Sequence, residues 1–293
     1  MGKRTQSLLK ILSEINFLCR DIDVLIIEYD VKEWSNSACD TLRTENFIQP
    51  IGILCYDKHI YVCSDVYPHL ICYNKNGQKV KEYNNFSTGC SIDMDEDKKL
   101  LYVVDRCHVW RKSLEDIVEH WERLCIIILP KEAWPGIWRG IKVDQNEKGK
   151  EVLYISVNLT KQIFLLDMSE GIILKKLNVG GYPRGITVRQ SHLYVCDIIN
   201  NHVQIVEKKN GNFVNQWKGF FGPRCIYFHD EVFFVGDAFS VQLFTKDNIC
   251  IQQLGFRHAG YKMNEFDAVY GLCIFDNRLY VADCKNNRIQ IFN

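Results

Sequence analysis

No stretch of this chain approaches the roughly 20 consecutive apolar residues of a helical membrane span, which sets that class aside. Nor is there an excess of one charge: 36 Lys plus Arg balance 36 Asp plus Glu. No global field therefore draws nucleic acid or an anionic membrane, and any such binding must rest on a local patch. The first residues, Met1-Gly-Lys-Arg-Thr-Gln6, hold no secretory apolar core or cleavage site, and Gln6 stands where a myristoylation signal needs Ser or Thr. The thirteen cysteines include no Cys-x-x-Cys pair, so neither a zinc site nor a redox motif emerges. These absences lead us to expect an intracellular, cytoplasmic chain with reduced thiols. The eight histidines show no metal-ligand spacing and no nucleophile motif is visible, so no cofactor, no metal and no catalytic residue is expected.

What the chain does have is a period. An aromatic residue, then Val or Ile, then soon Asp or Asn recurs at residues 61–65, 102–105, 154–158, 194–197, 234–237 and 280–283. A spacing near 40 residues made of short apolar runs predicts a β-propeller, one four-stranded blade per repeat. Each repeat opens on a short inner strand: Pro50-Ile-Gly-Ile, Gly89-Cys-Ser-Ile, Trp138-Arg-Gly-Ile, Pro183-Arg-Gly-Ile, Pro223-Arg-Cys-Ile and Val269-Tyr-Gly-Leu. Gly52, Gly140, Gly185 and Gly271 suit a place where blades crowd the axis and a side chain would collide, or where the backbone is strained. The aromatic-Val-x-Asp run is the second strand. Cys63 and Cys196 share its small slot with Val104, Gly236 and Ala282, where cysteine serves as a small buried hydrophobe. Asn76-Gly77 and Asn210-Gly211 signal hairpins before the outer strands.

The sixth repeat ends at Asn293 after its third strand. Residues 28–34 copy the outer-strand pattern of Val80-Lys-Glu-Tyr83, so a strand there is expected to complete blade six and close the ring, removing exposed sheet edges. The expected organisation is an amphipathic helix within residues 1–23, carrying the stripe Leu8, Ile11, Leu12, Ile15 and Leu18, then an all-β six-bladed propeller over 24–293. Blades start near 50, 89, 138, 183, 223 and 269. Blade two is lengthened, with a capped helical turn from Ser113 and an outer strand near residues 124–129.

With those residues set out, the chain resembles the NHL-repeat family of six-bladed propellers. Blade six carries the pattern best, in Gly271, Tyr280-Val-Ala-Asp283 and Asn286-Asn-Arg-Ile-Gln290. Blade four is nearly as close, with His202 in place of Arg. The resemblance implies the fold and leaves function open among enzymes, RNA binders and protein scaffolds. Propeller lactonases and an amidating lyase resemble the family, but their metal ligands or base do not map onto this chain. RNA binding is known for NHL propellers attached to RING and B-box modules, which are absent here, and Lys161, Lys208, Lys209 and Lys218 form no dense basic stripe.

Candidate sites follow from comparing blades. Asp65, Asp105, Asn158, Asp197, Asp237 and Asp283 recur in every blade. They read as turn-holding acceptors rather than a ring of metal ligands. Arg139, Arg184 and Arg224 share one slot just before the inner strand in three successive blades, where blades one, two and six have Ile51, Cys90 and Tyr270. These guanidinium groups, with Tyr270 and Trp138 nearby, either pair with strand-end aspartates or form an anion-recognising channel mouth. The expectation is a monomeric, non-catalytic protein-interaction scaffold recognising an acidic or phosphorylated protein. RNA binding is the first alternative, and a metal-dependent lactonase or lyase the second.

Overall fold

The computed structural model describes residues 40–42, 49–64, 66, 70–86, 91–105, 108–115, 120–126, 138–146 and 149–293. They form six antiparallel sheets of four strands each, a six-bladed propeller. The inner strands are Pro50–Tyr56, Ser91–Asp95, Trp138–Gln145, Pro183–Arg189, Cys225–His229 and Val269–Phe275. In blades one to five the chain then runs outward strand by strand. Among the described residues no helix is long and apolar enough to cross a membrane.

Period-two alternation explains why these segments are strands and where the core lies. In the second strand of blade two, Leu101 and Val103 pack toward blade one, while Tyr102 and Val104 pack toward blade three. Blades four and five repeat the arrangement, with Tyr194 and Trp217 of one against Phe233 and Phe244 of the other. The core is thus a set of slabs between neighbouring blades, and each fully buried large side chain in them contributes about 1.5–3 kcal/mol. Outer strands, wet on one or both faces, carry far weaker patterning; Phe213 and Val214 are exposed.

Blade six takes its outer strand from the N-terminal side, but at Asp40–Leu42 rather than at residues 28–34. Asp40, Thr41 and Leu42 pair with Ile291, Gln290 and Ile289. The sequence reading missed this because a three-residue strand needs no aromatic end and no alternating run. Residues 28–34 and the expected helix within 1–23 lie outside the described residues. In blade two the outer strand is Glu122–Ile126, a little earlier than expected. Ser113 ends a strand, and its hydroxyl accepts the N–H of Glu115.

The glycines near the axis obey a packing rule that passes from blade to blade. A Cβ on Gly140 would lie 2.4 Å from the carbonyl oxygen of Arg184, and one on Gly185 2.7 Å from that of Arg224. Likewise Gly271 would meet the carbonyl of Ile51 at 2.7 Å. Collision, not positive φ, is the reason for glycine at these three places. Gly52 is looser, its nearest neighbour being the Ile92 side chain at 3.2 Å.

Candidate active site at the channel mouth

The slot before each inner-strand glycine is where the strand departs from regular pairing. Register shifts fall between Pro50 and Gly52, Trp138 and Gly140, Pro183 and Ile186, and Val269 and Gly271. These irregularities bracket Ile51, Arg139, Arg184 and Tyr270. An extra residue in a strand re-aims its side chain, a device common beside functional sites. The backbone there is pinned from the adjacent blade: the Ser156 hydroxyl donates to the Arg184 carbonyl at 2.5 Å, and the Gly185 N–H to the Arg224 carbonyl at 3.0 Å.

Arg184, Arg224 and Tyr270 come together at the mouth of a narrow axial cavity of about 100 Å³, lined by the inner strands of all six blades. The Arg184 guanidinium carbon lies 4.5 Å from the centre of the Tyr270 ring, and that of Arg224 5.4 Å from it. Arg184 is only 6% exposed, yet its Nε and Nη1 have no hydrogen-bond partner. Arg224 donates from Nη1 to the Gly222 carbonyl at 2.8 Å, and its Nε is unpartnered. Among the described residues neither arginine meets a carboxylate within ion-pair distance. Cation–π contact with Tyr270 offsets part of the cost of burying them. Arg139 and Trp138 lie on the blade-three inner strand, and their side chains are outside the described residues.

Two positive charges against one phenol change its acidity. Burial alone pushes Tyr270 up, but the charge of Arg184, a hydrogen bond from it and the charge of Arg224 together hold the phenol below the ordinary tyrosine range. Deeper in the channel, Asp93 accepts the Lys142 ammonium at 3.1 Å and the Val143 N–H at 2.7 Å. Tyr227 is pushed the other way, first by burial and then by nearby Cys273 and Asp93. Sequence comparison singled out the arginine slot; it passed over Asp93 and Lys142, whose signal was only two opposite charges two positions beyond the glycine slot in successive blades.

The recurrent acidic residues are spent on backbone. Asp197 accepts the N–H groups of Tyr182 and Asn200, Asp237 those of Phe221, Phe239 and Ser240, and Asp283 that of Asp267. Asp105 accepts the N–H of His108 and the Trp110 indole. Asn158 is buried with its side-chain amide unpartnered, and Asp65 lies outside the described residues. Among the described residues no three His, Cys, Asp or Glu side chains converge as a metal site. With Asp93 already committed to Lys142 and the Val143 N–H, the described channel residues do not offer a donor set for a metal ion. Lys208, one of the scattered lysines, is paired with Asp144.

Residues 271–292 match the family model described as NHL repeat. An NHL-repeat motif is present in blade six. The NHL signature here has a physical reading: Asp283 takes the Arg288 guanidinium at 2.8 Å, and Arg288 donates onward to the carbonyls of Tyr261, Lys262 and Glu265. No curated protein sequence matches the chain. Solved structures do. A protein of unknown function from Bacteroides thetaiotaomicron superposes with a TM-score of 0.70 at 14% identity, over 86% of this chain and 72% of that one. A catalytically inactive virginiamycin B lyase from Staphylococcus aureus, solved with quinupristin, gives 0.60 at 14% identity over 86% and 84%. A streptogramin B lyase gives 0.59 at 11% over 87% and 96%. At such identities the likeness establishes the fold alone. It nonetheless corrects the expectation of a non-catalytic scaffold. That reading treated the missing metal and nucleophile motifs as evidence against catalysis, whereas two structures sharing the propeller are lyases. A propeller site is assembled from several blades, so no contiguous motif marks it.

Proposed function

We propose that the chain is an enzyme of the lyase or lactonase kind, with its reacting centre at Arg184, Arg224 and Tyr270. The observation that carries this reading is the pair of guanidinium groups with buried, unpartnered N–H atoms beside a phenol of lowered pKa. Buried polar atoms without partners are rare in folded proteins and cost stability, and a ligand that supplies acceptors removes that cost. Perturbed acidity in a concave site points the same way.

The chemistry suits elimination next to a carbonyl. The Tyr270 phenolate takes a proton from a carbon that lies beside one carbonyl and next to the carbon bearing an ester's alkyl oxygen, and negative charge builds on the oxygen of that first carbonyl. One guanidinium stabilises that oxygen in a site shielded from water. The electron pair of the broken C–H bond forms the new double bond as the neighbouring C–O bond cleaves, and its electrons leave with a carboxylate. The second guanidinium receives that carboxylate as a planar fork. No water is consumed, so a cyclic ester opens without change of mass.

The test is incubation of the full chain with quinupristin and a panel of lactones in which the carbon bearing the ring oxygen neighbours a carbon beside a second carbonyl, followed by mass spectrometry and ultraviolet absorbance. Ring opening at constant mass with new double-bond absorbance is expected. Arg184→Met should lower kcat by about 10²–10³-fold and Tyr270→Phe by about 10²–10⁴-fold. Absence of turnover across the panel, or turnover unaffected by both substitutions, would overturn the proposal.

A further inference from the structure

Cys55 and Cys273 sit on the inner strands of blades one and six, 218 residues apart in sequence, with their sulfur atoms 2.8 Å apart. Both are buried, within the apolar slab between those two blades. Two sulfurs in ordinary contact stand well beyond 3 Å, and a disulfide measures about 2.05 Å, so less than an ångström of movement separates this pair from a bond. Cys55 also lines a second cavity, of about 900 Å³, at the hairpin ends of the inner strands, the end opposite the arginines. That cavity offers a route for a small molecule to the first sulfur. Burial, and then the neighbouring Cys273, holds the Cys55 thiol well above the ordinary thiol range, so exchange there is slow.

We propose that Cys55 and Cys273 are a disulfide modification site that staples blade six to blade one. The oxidant is a small-molecule disulfide of the glutathione type. The Cys55 thiolate attacks it, forming a mixed disulfide and releasing one small thiol. Cys273 then displaces the second small thiol and the protein disulfide forms. Two protein thiols are oxidised, one small disulfide is reduced to two thiols, and both protons leave with them. The staple falls at the blade boundary where the two ends of the propeller meet, and blade six is itself closed by an outer strand from the N-terminal side that pairs through three residues. Cross-linking across so long a loop restricts the unfolded chain strongly. The pair thereby departs from the expectation that the thiols are reduced.

The full chain is equilibrated with oxidised or reduced glutathione, unfolded, alkylated and mapped by mass spectrometry without reduction. A linked Cys55–Cys273 peptide is expected only in the oxidised sample. Its Tm should exceed that of the reduced sample by roughly 5 °C or more, a shift lost in Cys55→Ser and in Cys273→Ser. Alkylation of both residues in the oxidised sample overturns the proposal, as does linkage of either to a different cysteine or to glutathione alone. The mapping is read on the unaltered chain, so it stands even where a variant fails to fold.

Discussion

The side-chain oxygen of Asn287 accepts the backbone N–H of Gln49 at 2.9 Å, joining residues 238 positions apart. The same bond recurs two blade boundaries earlier in the ring, where Asn201 accepts the N–H of Gly222 at 2.7 Å. Both asparagines hold the left-handed backbone, at φ 51° and 56°, which asparagine tolerates better than most residues. The preceding Asn286 and Asn200 turn back onto their own blade's aspartate, at 2.9 and 2.7 Å. In each pair, one asparagine ties a blade to itself and the next ties it to the entry of its neighbour.

Asn287→Ala should therefore destabilise by about 1–3 kcal/mol, from a lost hydrogen bond together with an unfavourable left-handed alanine. Asn287→Gly should lose only the hydrogen-bond part. Urea denaturation of both variants measures the difference, and equal losses would show that backbone conformation is not involved.

Arg288 is fully buried and donates to four acceptors: the Asp283 carboxylate and three carbonyls of the 261–265 loop. Removing one partner of a buried ion pair leaves the other uncompensated, so Arg288→Met should cost about 3–5 kcal/mol. The double variant Arg288→Met with Asp283→Asn should recover part of that loss. A thermal melt of the set distinguishes a shared network from two independent contributions.

Gly185→Ala places a Cβ against the Arg224 carbonyl and the Cys225 Cα, which is backbone and cannot swing away. Blades four and five must separate at the axis, and Arg224 moves relative to Tyr270. We expect a loss of about 1–3 kcal/mol and a fall in activity beyond what that loss explains, measured below the melting range. Gly52→Ala, facing only a side chain at 3.2 Å, should cost less.

Activity should depend on pH through Tyr270. Its folded pKa is lowered, so the phenolate needed as base is populated below the ordinary tyrosine value of about 10. The rate should rise with pH and level off above that lowered pKa. Arg184→Met removes the principal lowering charge and should move the rising limb to higher pH. An unchanged limb in a kcat/KM profile would assign the titration to another group.

The fold was legible because its cause is local and repeated. Each blade repeats an alternating second strand and a small residue where blades meet, and in blades two, four, five and six an aspartate holds the turn, so the period survives even where Asn158 or Gly236 replaces the usual residue. The slot of Arg184 and Arg224 was legible for the converse reason: it breaks the repeat. The closing strand was not legible. Asp40–Leu42 is short and without pattern, and only the unfilled edge of Arg288–Phe292 selects it. The pairing states of the arginines were also hidden, since sequence left open whether aspartates would reach them.

By itself the sequence determined that the chain has six repeating units with slabs of apolar side chains between them, because hydrophobic periodicity is a property of neighbouring residues. Only the tertiary structure decided which unlike residues meet across blades. Closure of the ring brings Tyr270 under two arginines from blades four and five, and Cys55 onto Cys273. Distances between residues some fifty to two hundred positions apart are set by the blade count and the circle they complete, not by any segment alone.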